Sequence, residues 1–305
     1  MSTLASGTRV LVTGGSGFIG RHVVTALREQ GCLVTVADRT PCPCDEVATV
    51  TGDLCEPDVR DRAVTAGTDA VVHLAAETSV LGSIKRPTLV HRTNVEMTAA
   101  LLELARQRQV ETFVLASTNA VVGPHDGTIT EDLALAPMTP YGSTKAAAEM
   151  LLSGYSGSYG MRTPALRLTN VYGRGMLDKD SFVPRLFRAA ARDEGVEIYG
   201  DGQQRRDLVH VGDVARAFGQ AVASWPSGPV IVGGGRSYTV VDVAQAARDA
   251  SGRTIPARHV PAQPGEMPAV VVDIARARAR GYEPAVPLDE GMRSAWADFC
   301  PCELP

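Results

Sequence analysis

Tyr141 and Lys145 stand four residues apart in the stretch Tyr-Gly-Ser-Thr-Lys. On a helix that spacing puts both side chains on one face, with Cβ atoms about 5–6 Å apart. A phenol with a pKa near 10 is a poor base at neutral pH, but a neighbouring ammonium favours the phenolate. The pair is therefore a candidate proton relay acting on an alcohol. An ordinary surface pair has the same spacing, so the rest of the chain must decide.

The deciding context begins at residues 13–20, Thr-Gly-Gly-Ser-Gly-Phe-Ile-Gly. Gly14, Gly17 and Gly20 are spaced three apart, and Gly15, Gly17 and Gly20 satisfy G-x-G-x-x-G. Either set lets the backbone turn tightly and approach a pyrophosphate at a helix N-terminus. A strand pattern precedes the turn (9–13), a helix pattern follows it (17–30), and Asp38 closes the next strand pattern. A carboxylate there suits the two free hydroxyls of an NAD ribose and repels the 2′-phosphate of NADP. Arg39 offsets part of that repulsion, so NAD is the expected cofactor and NADP the alternative.

Short β-branched runs at 9–13, 33–38, 48–53, 70–76, 112–118 and 164–170 alternate with helical patterns. The helices are expected at 17–30, 84–109 and 141–159. Apolar strands separated by helices indicate an α/β fold, a Rossmann-type doubly wound parallel sheet. Beyond Asn170 come Gly/Pro-rich loops, short strands near 197–200 and 206–211, and helices near 181–193, 211–224, 239–251 and 288–299. Residues 1–170 are thus read as a dinucleotide-binding domain carrying the Tyr/Lys helix. Residues 171–305 form a smaller substrate lobe, some of whose segments return to the first domain.

With 305 residues, a net charge of −4 and a pI of about 5.9, the chain offers no general attraction to nucleic acid or anionic membrane. The basic clusters at 106–108 and 276–280 read as solvated helix faces. No run of 18 apolar residues occurs and the N-terminus leads straight into a strand pattern, so a cytoplasmic protein without signal peptide is expected. Cysteines occur at 32, 42, 44, 55, 300 and 302. The Cys-Pro-Cys pairs at 42–44 and 300–302 do not match the C-x₂₋₄-C spacing of structural zinc, so free thiols and no metal are expected. His73 and His210 read as buried, satisfied histidines rather than bases.

The ordered motifs resemble the extended short-chain dehydrogenase/reductase family, its nucleotide-sugar epimerases and dehydratases in particular. They are the glycine turn, Asp53-Leu54, His-Leu-Ala-Ala at 73–76, Asn94, Ser-Thr-Asn-Ala-Val-Val-Gly at 117–123 and Tyr141…Lys145. They continue through 166–173, 204–211, 233–240 and Pro-Gly-Glu-Met-Pro at 264–268. The resemblance implies a catalytic trio of Thr118, Tyr141 and Lys145. It places Phe18, Ile19, Asp53, Leu54, Leu74, Ala75, Ala76 and Asn94 at the cofactor, and Lys145 also on the nicotinamide ribose. On the substrate side it implies Thr118, Asn119, Asn170, Val183, Tyr199, Arg206 and Glu266, with Arg206 on a phosphate and Glu266 on a ribose. It further implies a homodimer joined by a four-helix bundle from the helices near 88–108 and 141–159.

Three departures refine this. The dehydratases carry Asp-Glu after the catalytic threonine, whereas Asn119-Ala120 stand here and supply neither acid nor base. Gln263 replaces an arginine that would contact phosphate. Val-Val-Gly at 121–123 replaces Val-Tyr-Gly and removes an aromatic side chain near the sugar. The expected function is NAD-dependent 4-epimerisation of a UDP- or dTDP-hexose through a transient 4-ketone. The alternatives are a 4-ketosugar reductase, a dehydratase, or a non-catalytic dinucleotide sensor.

Overall fold

The computed structural model describes residues 4–44, 46–261 and 270–300. The chain opens with β1 (Arg9–Thr13), α1 (Phe18–Glu29), β2 (Leu33–Asp38), β3 (Ala48–Thr51), α2 (Pro57–Ala63) and β4 (Ala70–His73). It continues through α3 (Val80–Lys85), α4 (Pro87–His91), α5 (Met97–Gln107), β5 (Thr112–Thr118), α6 (Pro140–Tyr159) and β6 (Pro164–Leu168).

Next come β7 (Asn170–Tyr172), α7 (Phe182–Arg192), β8 (Val196–Tyr199), β9 (Arg205–His210) and α8 (Val211–Ser224). The remainder is β10 (Gly228–Val232), β11 (Ser237–Thr239), α9 (Val240–Ser251), β12 (Ala257–Val260), α10 (Ala275–Arg278) and α11 (Leu288–Trp296).

The central sheet has seven strands in the order β10-β6-β5-β4-β1-β2-β3, and every pairing is parallel. Parallel strands need covered faces, and the sequence supplies them. One face packs Val10, Val12, Val72 and Val114 against Val23, Val24 and Leu27 of α1 and Phe218 of α8. The other packs Leu11, Val71, Phe113 and Leu115 against Leu101 and Leu102 of α5 and Leu152 of α6. The strand order reverses at β1, whose neighbours are β2 and β4. Ligands of open α/β sheets bind outside the strand ends at such a point.

A smaller lobe builds on β7, β9 and β11, which form a three-stranded sheet, and on the pair β8–β12. Its own core gathers Leu186 and Phe187 of α7, Val243 and Ala247 of α9, and Met292 and Trp296 of α11.

One expectation changes. The helix expected over 84–109 is broken. Pro87 offers no N–H, and Arg86 before it sits at φ −135°, ψ 57°, outside the helical region. The chain restarts as α4, passes a π turn at Arg92–Glu96, and only then runs as α5. Past residue 170, β10 is a full member of the main sheet beside β6, a segment of the kind expected to return to the first domain.

Candidate active site

The glycine turn links β1 to α1. Gly14 takes φ +72°, and a Cβ on it would lie 2.7 Å from the Ala75 backbone nitrogen. The loops after β1 and β4 therefore touch at the switch point, which only glycine permits. A Cβ on Gly20 would overlap the Gly14 carbonyl, so α1 starts hard against the turn. Gly17 is the N-cap of α1 with no side-chain cap and no acid in the first turn. The first N–H groups of this helix are thus aimed at an anion.

Asp38 ends β2 facing this turn. Its Oδ2 accepts from the Ser16 backbone N–H at 3.0 Å and its Oδ1 from Thr40 N–H at 3.3 Å. Each oxygen retains lone-pair capacity for a ribose hydroxyl. Arg39 turns instead toward Glu77, Nη2 to Oε1 3.4 Å. Asp53 accepts from Cys55 N–H at 2.9 Å, and this bond first of all holds its carboxyl below the usual range.

A cleft of about 570 Å³ opens on these groups. It is lined by Gly14, Gly17, Phe18, Ile19, Gly20, Asp38, Arg39, Asp53, Leu54, Leu74, Ala75 and Ala76, and on its far wall by Thr118, Tyr141, Lys145 and Asn170. An adjoining pocket of about 200 Å³ shares Asn170 with it and takes in Val183, Tyr199 and Arg206. Residues spread from position 14 to 206 thus line two adjoining cavities that share Asn170.

Thr118 is the last residue of β5, and its Oγ1 caps the following turn by accepting from Ala120 N–H at 3.2 Å. Tyr141 is in the first turn of α6, which Thr139 caps and Pro140 starts. The phenol bonds to Thr118; burial pushes its pKa up to about 12, and the Thr118 bond is the influence that lowers it. Lys145 is 3% exposed. Burial pulls its pKa down to about 8, with Glu149 pushing back. The Tyr141–Lys145 spacing predicts that the ammonium acidifies the phenol; in this cleft desolvation is the largest influence on each group, and it favours their neutral forms.

Two residues are placed differently from expectation. Asn94 does not line the cleft. It is 2% exposed, accepts from Glu77 N–H at 2.8 Å, and donates to the Glu77 carbonyl and to Thr144 Oγ1 at 2.9 and 3.1 Å. It ties the loop after β4 to α6 one residue before Lys145, which makes it a positioning residue. Asn119 lines neither cavity; it is 7% exposed, and neither amide atom has a hydrogen-bond partner. Val121 and Val122 are also buried away from both cavities. Glu266 and Gln263 lie outside the described residues.

His73 is the satisfied core histidine expected. It bonds Thr13 Oγ1 at 2.7 Å and Thr98 Oγ1 at 2.9 Å, and burial lowers its pKa to about 3. His210 is half satisfied: Nδ1 accepts from Gly212 N–H at 3.2 Å, while Nε2 is buried without a partner. Of the basic clusters, Arg106 pairs with Glu103 and Arg278 with Glu283 at the surface, whereas Arg276 reaches the buried Glu131 and Arg280 lies over the Trp225 ring with Nη1 buried. Among the described residues no cluster of His, Cys, Asp or Glu could hold a metal.

Sequence reasoning missed Thr78, Arg92, Thr93, Lys179 and Ser181, which also line the cleft. A signal for Lys179 existed: the chain has only three lysines, at 85, 145 and 179. Two of these three face the cleft.

The family model for the NAD dependent epimerase/dehydratase family matches residues 10–233. The chain belongs to that family. A dTDP-glucose 4,6-dehydratase of Streptomyces niveus is 33% identical over 305 residues, covering 93% of this chain and 90% of the relative. A UDP-glucose 4-epimerase of Halalkalibacterium halodurans is 31% identical over 314 residues, with 94% of each chain covered. The crystal structure of a Thermus thermophilus UDP-glucose 4-epimerase in complex with NAD superposes with a TM-score of 0.90 at 34% identity. The match covers 96% of this chain and 99% of that one. An epimerase/dehydratase family member with this cleft is an enzyme, and the resemblance read from the motifs stands.

Proposed function

We propose that the chain is an NAD-dependent epimerase that inverts C4 of a nucleoside-diphosphate hexose. The observation carrying this reading is the contact of Tyr141 with Thr118 on the wall of the cleft that also holds Gly14, Gly17, Gly20 and Asp38. NAD, when bound, supplies the hydride acceptor and returns the hydride.

The chain supplies the rest. The glycine turn and the α1 N-terminus receive the pyrophosphate, and Asp38 takes the adenosine ribose hydroxyls. With Arg39 directed to Glu77, the carboxylate sets the preference for NAD over NADP. Thr118 holds the sugar C4 oxygen, and Tyr141 accepts its proton and later returns it. Lys145, as ammonium, stabilises the negative charge that Tyr141 gains. Asn170, Val183, Tyr199 and Arg206 receive the nucleoside diphosphate, with the Arg206 guanidinium suited to a phosphate. The relatives' names supply the substrate class, UDP- or dTDP-hexose.

Dehydration needs an acid and a base beside the catalytic threonine, and Asn119-Ala120 provide neither. A 4-ketosugar reductase would use the same trio. The deciding experiment incubates the purified protein with UDP-glucose and NAD and follows UDP-galactose by NMR. Interconversion without net change in NADH is expected, with Tyr141→Phe lowering kcat by roughly 10²–10⁴. Consumption of NADPH with a 4-ketosugar and no epimerised product would replace this reading by the reductase.

The homodimer is proposed on α5 and α6. Met150 and Tyr159 on the outer face of α6 are 56% and 55% exposed, and a second copy would cover them. Light scattering should give twice the 32.2 kDa chain mass. No helix among the described residues is long and apolar enough to cross a membrane, and a cytoplasmic location is proposed with this.

A further inference from the structure

Arg39 lines the cleft directly after Asp38, yet its guanidinium is engaged elsewhere. The residues on either side of it are fixed to the glycine turn. Asp38 accepts from Ser16 N–H at 3.0 Å, and Ser16 Oγ donates to the Thr40 carbonyl at 2.8 Å. The Arg39 side chain itself is 66% exposed, so the head group alone selects its partner. That partner is Glu77, with Nη2 lying 3.4 Å from Oε1.

Glu77 belongs to the loop after β4, 38 residues away in the chain. Its backbone is clamped on both sides by the buried Asn94 amide. Glu77 N–H donates to Asn94 Oδ1 at 2.8 Å, and Asn94 Nδ2 donates to the Glu77 carbonyl at 2.9 Å. Its side chain is only 21% exposed, and Arg86 Nη2 stands 3.9 Å from the second oxygen, Oε2. The carboxylate is thus an anchored acceptor, and ordering the pair restricts mainly the Arg39 side chain.

We propose that Glu77 is a specificity-determining residue: by holding the Arg39 guanidinium, it withholds that cation from the 2′-phosphate of NADP. The proposal rests on the reading of the cleft as the NAD site, given above. It adds to the charge of Asp38 a second source of discrimination, located on a different loop.

A 2′-phosphate carries about two negative charges and matches the planar fork of a guanidinium. To reach it, Arg39 must leave Glu77, so the energy of the pair is subtracted from NADP binding. NAD presents two hydroxyls there, which suit Asp38, and Arg39 stays where it is. The pair is partly exposed, so its loss should change NADP affinity by roughly threefold to fivefold and NAD affinity very little.

The test titrates NAD and NADP calorimetrically into the purified full-length protein, for wild type, Glu77→Gln, Arg39→Ala and the double variant. Glu77→Gln removes the charge and leaves the Asn94 bonds, which go to the backbone. It should bind NADP more tightly by that factor with NAD unmoved. On the Arg39→Ala background the same change should leave NADP unmoved, because the cation to be released is gone. An unaltered NADP affinity in Glu77→Gln, an equal shift for both dinucleotides, or a gain that persists without Arg39 would each overturn the proposal. The last result would assign the discrimination to repulsion between Glu77 and the phosphate. A wild type that binds neither dinucleotide would instead remove the cofactor reading itself, whereas one that binds NAD with Glu77→Gln unchanged removes only the role of Glu77.

Discussion

Arg167 and Glu149 meet as a buried ion pair behind the cleft wall of Thr118, Tyr141 and Lys145, with Nη2 2.7 Å from Oε2 and each side chain 3% exposed. Arg167 Nε adds a bond at 3.0 Å to Oε1, the oxygen that also receives Ser117 Oγ. Arg167 of β6 is in register with Ser117 of β5, and Glu149 lies one turn past Lys145 on α6. The pair therefore pins the helix bearing Tyr141 and Lys145 to the strand end bearing Thr118.

Arg167→Met leaves a carboxylate buried without its partner, and should cost about 3–5 kcal/mol in urea unfolding. The double variant Arg167→Met/Glu149→Leu removes both charges and should recover most of that loss. Equal losses in single and double variants would show that packing, not charge, accounts for the cost.

Lys145 carries an opposite liability. Its pKa falls from 10.5 to about 8 in the fold, a penalty on the order of 3 kcal/mol for keeping the ammonium buried. Below about pH 8 folded and unfolded chains are both protonated and the penalty is complete. Between about 8 and 10.5 the folded chain has released the proton while the unfolded chain keeps it, so stability rises with pH and the penalty fades. Lys145→Met should thus be inactive yet more stable at pH 7, with an advantage that shrinks at pH 9.5. Denaturant melts at the two pH values check the sign.

What the sequence made legible was local. The glycine turn, Asp38 and the Tyr141–Lys145 spacing carry their conformations in short stretches, and each lies where the periodicities put it. The place of β10 depends on pairing with Pro164–Leu168, far away in the chain, and no local pattern reports such a pairing. The break at Pro87 was readable from the proline, but a continuous apolar pattern masked it. Asn94 and Asn119 show a further limit. A motif places a residue near a site, whereas whether its amide faces the cavity or the core is decided by side-chain partners such as Glu77 and Thr144.

Asp38 and Lys179 probe the cofactor end independently. Asp38→Asn keeps the size and removes the charge, so it should weaken NAD binding by roughly 10–100-fold while narrowing the preference over NADP. Lys179 lines the same cleft, and burial and Arg21 of α1 both push its pKa down, with burial the larger influence. That places a cation from the loop between β7 and α7 in the same cleft as the glycine turn. Lys179→Ala should weaken NAD by a factor of roughly 3–10 and flatten the salt dependence of binding. Fluorescence titration at two ionic strengths measures both.

Asn119 gives a test in which stability and function move apart. Its amide is buried beside Thr118 with neither polar atom bonded, an arrangement that costs about 1–3 kcal/mol. Asn119→Leu has nearly the same shape and no unmet polar group, so the variant should unfold about 1–2 kcal/mol later in urea. If the amide turns to the hexose when substrate enters, the same variant raises KM severalfold and leaves kcat within about threefold. Tighter folding with an unchanged KM would remove Asn119 from the substrate site and leave it a buried polar residue of the turn after β5.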